Sequence, residues 1–386
     1  MSTPLRGKSW VSEMRAEIKK SLCLLLTAAA LFGVTACGGA PATSPAQDAA
    51  VPDAAEAVPD SSLRYTQEET VKGAKYENEP DFADFLSAAA PRFTVPALAQ
   101  AMVPQGMSYD AESGLVYISS YAAVDLPSII TATALDTGEI QAEYILKNPD
   151  GSSFTSHVGG LAVTESMVYV SAKLDNDGSY SIAAVKKSAL PAEGRHEITL
   201  DEQIKLPVSP SFMSCCGNVL WIGNFYHPSA DYGLSTGIEH TTPTQSGDYG
   251  CYVLGYALEN GAIPAYSGDF PRPDFVLCAP DRIQGAVVTD STVVLSQSYG
   301  RKNNSALLVY NVDFEAPADA ELDIAGEKLP MYILDSAREV KALTAMPMTE
   351  GLTLTDGGVL VLFESGAMKY SDGRFRTDKV WELNLG

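Results

Sequence analysis

The 386-residue sequence predicts an all-β fold, a β-propeller of five four-stranded blades whose last blade is closed by an N-terminal strand. Three observations carry that expectation. A Gly-led unit recurs five times after residue 90. Its strands are short runs of β-branched and aromatic residues bounded by Gly, Asp, Asn and Ser. No amphipathic helix of about 10–15 residues alternates with them, which disfavours a parallel α/β fold. Six blades is the alternative count, and a sandwich would show similar strands without the repeated unit.

In chain order, Lys19-Lys20 precede an uncharged run, Ser21 to Ala36, that ends in small residues. A bilayer-spanning helix needs about 20 apolar residues, and this run is shorter and has the flanks of an export signal. Residues 1–36 therefore read as a signal peptide, with Met14 as an alternative start. Val34-Thr35-Ala36-Cys37 resembles a bacterial lipobox, which implies acylation of Cys37 and a lipid anchor on the extracytoplasmic face of the cell membrane. An ordinary signal peptide with a chance cysteine is the other reading. Residues 37–62 are rich in Ala, Pro and Asp and hold no aromatic residue, the composition of a flexible tether. Residues 63–91 form an N-terminal extension with one helical stretch near Asp81 to Ala89, and residues 92–386 form the propeller.

The units begin at Gln105-Gly106, Gly159-Gly160, Ser211-Phe212, Gln284-Gly285 and Glu350-Gly351. Their second strands are expected at 115–121, 167–173, 219–225, 293–299 and 359–365, and their third strands at 128–135, 181–187, 251–258, 306–312 and 379–385. Fourth strands fit at 140–146, 197–204, 274–279 and 331–336; the fifth unit lacks one, and 92–98 can supply it. Phe212 stands where the other units carry Gly.

Composition excludes some functions. The chain has 26 Lys+Arg against 48 Asp+Glu, a net charge of −22, which opposes a phosphate-tracking surface and hence nucleic-acid binding. With 46% hydrophobic residues it can still bury a core.

In a propeller, the segments opening first strands and the loops leaving second strands share one face, and here those loops are the long ones. The longest, 227–250, is polar enough to drape over the tunnel mouth as a lid. The candidate ligand-binding residues on that face are Gln105, Tyr121, His157, Lys173, Asn224, His227, Gln284, Gln297, Tyr299, Arg301, Glu350 and Glu364. Glu350 and Glu364 fall on adjacent strands of one blade. With Asn224 they could hold a divalent cation such as Ca²⁺; alternatively they form a carboxylate pair for acid/base hydrolysis, or are simply solvated and ion-paired. Gly233 to Gly237 matches G-x-S-x-G without a strand-to-helix elbow, and Asp175-Asn176-Asp177-Gly178 is an incomplete calcium loop. Cys215, Cys216, Cys251 and Cys278 remain after the leader; Cys251–Cys278 is the first disulfide candidate, Cys215–Cys216 the second, and four buried thiols the alternative.

The segments PQGMSYD, HVGGLAV, TEGLTLTDGGVLVLFESGAMKY and the NFYHP insertion make residues 92–386 similar to the lactonase and gluconolactonase-like propellers and to a group of bacterial secreted propeller proteins. That resemblance implies a divalent metal at the tunnel with a Glu from an E-G start, which only Glu350-Gly351 matches. The sequence-level expectation is a lipid-anchored extracytoplasmic propeller that binds a small molecule, glycan or protein at its long-loop face. The alternative is a metal-dependent hydrolase of the lactonase type.

Overall fold

A computed structural model describes residues 64–122, 126–172, 178–229, 232–235 and 238–385. The expected signal peptide, the tether, Cys37, Lys173 and most of the incomplete calcium loop lie outside the described residues. Five sheets radiate from one axis as five blades. The first strand of each is innermost: Met102–Asp110, Leu161–Val163, Phe212–Cys216, Ile283–Val288 and Thr349–Thr355. Each continues outward through antiparallel second and third strands, as the repeat predicts. Ring closure also follows the expectation. The strand Ala89–Thr94 pairs with Lys379–Leu383 and becomes the fourth strand of the last blade.

The outer edges depart from a uniform four-stranded plan. The expected strand at 197–204 splits in two: Glu202–Leu206 is the fourth strand of blade two, whereas Gly194–Thr199 adds in parallel to Ile140–Lys147 of blade one. Likewise 331–336 is not the fourth strand of blade four. The hairpin Ala320–Ile324 and Glu327–Ile333 adds in parallel to Phe275–Ala279 of blade three, and Glu339–Ala345 closes blade four. Periodicity cannot distinguish these partners, because an edge strand looks the same from either sheet.

Crowding at the axis explains the Gly-led starts. A Cβ on Gly159 would lie 2.3 Å from the Ser211 carbonyl oxygen, one on Gly285 2.6 Å from the Glu350 carbonyl oxygen, and one on Gly351 2.7 Å from the Met107 nitrogen. Each contact joins neighbouring blades. Second-strand serines fasten the same seams. Ser119 Oγ accepts from Gly106 N at 3.1 Å and donates to the Val158 carbonyl at 2.8 Å. Ser171 Oγ accepts from Gly160 N at 2.7 Å and donates to the Pro210 carbonyl, while Ser296 Oγ donates to the Glu350 carbonyl at 2.7 Å. Blade three exchanges the pair. Phe212 on its inner strand faces Gly223 on the second, where a Cβ would meet the Phe212 ring at 2.1 Å.

The extension ahead of the ring is docked onto it. The backbone N–H groups of Arg64 and Tyr65 donate to the buried Glu143 carboxylate, and those of Thr70 and Val71 donate to Asp378. The helix Ala83–Ala88 falls where the sequence places it, and Phe82 and Phe85 are fully buried with Trp381 and Phe363. Between the blades, sheet faces pack as apolar layers such as Leu220, Ile222, Leu254 and Tyr256.

The expected disulfides are absent; the four described cysteines are free thiols. Register gives the reason for Cys251 and Cys278. Cys251 opposes Ala279 and Cys278 opposes Tyr252, so an offset of one residue turns the two thiols to opposite sheet faces and into different core clusters. Cys215 and Cys216 are successive residues of one strand.

The seams should dominate stability. Gly159→Ala should lower the unfolding free energy by about 1–3 kcal/mol, the usual cost of overpacking. Gly233, with nothing within 4 Å of its Cβ position, is the control, and Gly233→Ala should stay within about 0.5 kcal/mol of the parent in denaturant titration.

Candidate functional site

Three inner strands carry a register break at the same level. The ladder skips between Pro104 and Met107, between Ile283 and Gly285, and between Thr349 and Leu352. A bulge of this kind re-aims the residue it releases. Here the released residues are Gln105, Gln284 and Glu350, all lining one cavity of about 710 Å³ at the tunnel mouth. Glu364 joins them from the end of the second strand of blade five, where its backbone N–H donates to the Met348 carbonyl at 3.1 Å.

The two carboxyl groups interact directly, each shifting the other's ionisation. Gln105 Nε2 donates to Glu364 Oε2 at 2.8 Å, and Gln284 Nε2 donates to Glu350 Oε1 at 3.2 Å. Tyr370 OH lies 3.3 Å from Tyr121 OH, which accepts from Lys369 Nζ at 2.6 Å, and both Tyr370 and Lys369 act on the Glu364 carboxyl. The His157 ring stacks on Tyr121 with centroids 4.2 Å apart.

Burial sets the electrostatics. Glu350 is 4% exposed, and desolvation together with the neighbouring Glu364 carboxylate pushes its pKa well above the usual value of 4.5. Desolvation pushes Glu364 up to about 7, with hydrogen bonds from Tyr370 and Gln105 and the charge of Lys369 working the other way. The dyad therefore keeps a proton at neutral pH, because two like charges in contact cannot both ionise in a desolvated site. Burial, helped by Lys369, lowers the His157 pKa and keeps its imidazole neutral. Burial raises the Tyr370 phenol, which stays a donor.

Of the residues expected at the mouth, Gln105, Tyr121, His157, Gln284, Tyr299, Glu350 and Glu364 line this cavity. Lys173 lies outside the described residues, and the other four are engaged elsewhere. Asn224, 1% exposed, donates to the Gly250 carbonyl and accepts from Tyr252 N at 2.7 Å, so it holds backbone together. Gln297 donates to the Asp281 carbonyl at 2.7 Å, and His227 packs on Tyr299 with centroids 4.3 Å apart. Arg301 pairs with Asp372 at 2.9 Å and sits over the Tyr370 ring. Ser235 of the G-x-S-x-G match accepts from Ser209 N, a structural bond. Sequence reasoning missed Lys369 and Tyr370, which stand on a short 3₁₀ turn after Glu364, and Phe225 and Tyr232, which form part of the opposite wall. The segment FESGAMKY was in view, but strand periodicity ends at Phe363 and gives no aim for a turn residue.

The expected lid is only partly one. Tyr232 to Ser235 reach the mouth, whereas Thr242–Thr244 and Gly247–Tyr249 form a hairpin tied outward, with Gln245 N donating to Asp335 and Ser336 N donating to Ser246.

A cation site built on Glu350, Glu364 and Asn224 does not fit this donor set. Asn224 is committed to backbone, both glutamines present N–H groups to the dyad, and among the described residues no group of three His, Cys, Asp or Glu side chains converges.

No family model matches the chain, and no curated protein does. Among solved structures it is similar to a GH43_1 enzyme from Xanthomonas citri complexed with xylose, at 12% identity and TM-score 0.38 over 78% of this chain and 92% of that one. It is also similar to CoXyl43, a GH43 β-xylosidase/α-arabinofuranosidase from a compost microbial metagenome, at 10% identity and TM-score 0.38 over 77% and 92%. The Dos1 propeller matches at 11% identity and TM-score 0.27 over 73% and 59%, so this chain spans a little more than half of it. None of the three is a lactonase. At these scores the likenesses carry no functional argument, and the blade count rests on the strand pairing.

The dyad makes stability depend on pH. Below about 4.5 the carboxyls are protonated folded and unfolded, and their contribution is absent. As pH rises, the unfolded groups ionise first, the folded state holds more protons, and stability falls. Glu350→Gln should therefore raise Tm at pH 8 by about 2 °C or more and leave it nearly unchanged at pH 4.5, as read by scanning calorimetry.

Proposed function

We propose that the tunnel mouth is a hydrolytic active site in which Glu350 and Glu364 act as a proton-sharing acid/base pair on an ester or lactone. One observation carries this reading: two desolvated, mutually interacting carboxyl groups lining one open cavity. Paired carboxyls of glycosidases stand about 5–9.5 Å apart to admit a sugar carbon, or that carbon and a water. Groups in contact cannot flank a glycosidic bond that way. They can hold one water and one proton between them, the arrangement of proton-sharing carboxylate dyads.

In this reading, ionised Glu364 takes a proton from a water as its oxygen bonds to the substrate carbonyl carbon. Protonated Glu350 gives its proton to the leaving alkoxide as the acyl C–O bond breaks. The proton now on Glu364 returns to Glu350, and no oxidant or cofactor is consumed. Gln105 and Gln284 orient the two carboxyls, and Tyr370 steadies the anionic one. The lipid anchor at Cys37 remains part of the proposal and places the enzyme on the extracytoplasmic face of the membrane.

The test is a panel of chromogenic esters and lactones. With a turned-over member, kcat/KM should rise with pH through about 7, following Glu364, and Glu364→Gln should remove that limb. Glu350→Gln and Glu364→Gln should each cost about 100-fold or more, the usual worth of a general acid or base. Full activity in both variants overturns the assignment. A Ca²⁺-dependent rise in Tm that Glu350→Gln abolishes would put a cation in place of the shared proton. Cys37→Ser should move the protein from the membrane to the soluble fraction; retention in the membrane would remove the lipid anchor.

A further inference from the structure

We propose that Lys369 is the anchor for a carboxylate on the substrate, so that the site selects small organic acids over neutral molecules of the same shape. The inference rests on the hydrolase reading for what happens after binding, and on independent observations for the binding itself.

Charge is the first observation. The protein carries 48 Asp+Glu and a net charge of −22, so anions are repelled from most of its surface. At the cavity the balance differs. Apart from the dyad, its ionisable lining side chains among the described residues are phenols, the His157 imidazole and Lys369. Among the described lining residues, the cation is Lys369. Arg301 and Arg376, its cationic neighbours on the same rim, are committed: Arg301 to Asp372, and Arg376 to the carbonyls of Ser365, Gly366 and Ala367.

The second observation is how Lys369 is held. Its ammonium donates to Tyr121 OH at 2.6 Å and lies 4.9 Å from the Tyr121 ring centroid and 5.3 Å from that of Tyr370. These two partners are neutral and orient the ammonium without neutralising it, while its charge also acts on Glu364. Among the described residues no carboxylate lies within salt-bridge distance of it. An ammonium has three donors, and Tyr121 takes one. Tyr121 is itself braced by the stacked His157, so the cation is pre-positioned on a rigid aromatic wall.

The third observation is its reach. Lys369 Nζ bonds Tyr121 OH, which bonds Tyr370 OH, and Lys369 and Tyr370 both act on the Glu364 carboxyl, which places the cation on the same wall as the dyad. A short acid can span that interval, with its carboxylate on Lys369 and its acyl carbon at the glutamates. A carboxylate suits the site better than a phosphate ester. One ammonium balances one negative charge, whereas a dianion beside a carboxylate pair would leave excess negative charge in a desolvated pocket, and among the described lining residues there is no Arg fork to absorb it.

Glucuronate and glucose form a matched pair of probes, alike in ring and size and different in the carboxylate. Titrated into the full chain by calorimetry, glucuronate should bind at least about tenfold more tightly than glucose, and NaCl should weaken it. Lys369→Met and Lys369→Gln should each remove that preference, and Lys369→Arg should restore part of it; because Lys369 is exposed, Tm should hold in all three. Equal binding of the two sugars, an unchanged preference in Lys369→Met, or tighter binding of inorganic phosphate than of glucuronate overturns the proposal. Glu350→Gln separates the two readings. It should abolish ester or lactone turnover and leave the glucuronate preference in place, so loss of the preference only in the Lys369 variants speaks to the anchor and unchanged turnover in Glu350→Gln speaks against the hydrolase.

Discussion

Five inner strands converge on one axis, and the space between them is too small for side chains at the level where they meet. The glycines at 106, 159, 160, 285 and 351 answer that crowding, and the hydroxyls of Ser119, Ser171 and Ser296 tie the resulting seams by bonding a carbonyl of the next blade. Buried backbone groups must be paired, so a strand packed this closely needs a partner from outside its own ladder. Blade three shows that the requirement is spatial rather than chemical. There the bulk moves to Phe212 and the glycine to 223, and the ring closes all the same.

The site is a consequence of the same convergence. A strand that must yield backbone room at one residue does so by a break in register, and the adjoining side chain is then free of the sheet. Gln105, Gln284 and Glu350 are those side chains in blades one, four and five. In blades two and three, Gly159 and Ser211 occupy the equivalent level and bring no long polar side chain to the cavity. The cup is therefore lopsided, with the polar machinery on one arc and Phe225, Tyr232 and Tyr299 on another. Glu364 completes the dyad because its strand is hydrogen-bonded to the one that carries Glu350.

The repeat made the ring legible in sequence, since Gly-led starts and β-rich runs are local signals, and the closing strand could be found by counting strands in the last unit. The proximity of the two glutamates was legible for the same reason: Glu350 opens the fifth unit and Glu364 ends its second strand, so they fall on adjacent strands of one blade. What escaped was decided by orientation or by long-range pairing. Asn224 sits at the matching level but its amide is captured by Gly250 and Tyr252. Cys251 and Cys278 lie on paired strands, yet a one-residue offset in register points them apart. Lys369 and Tyr370 matter because a single 3₁₀ turn aims them inward, and no period in the sequence encodes that aim.

Gly194–Thr199 leaves its own unit to lie along blade one, and Ala320–Ile333 does the same for blade three. These lendings bind each donor unit to its neighbour through main-chain hydrogen bonds as well as through apolar packing. A propeller with self-contained sectors can gain or lose one by duplication or deletion and still close. In this chain, excising unit two would strip an edge from unit one, and excising unit four would strip one from unit three. Removing or duplicating one unit would therefore disturb the sheet of its neighbour as well as its own.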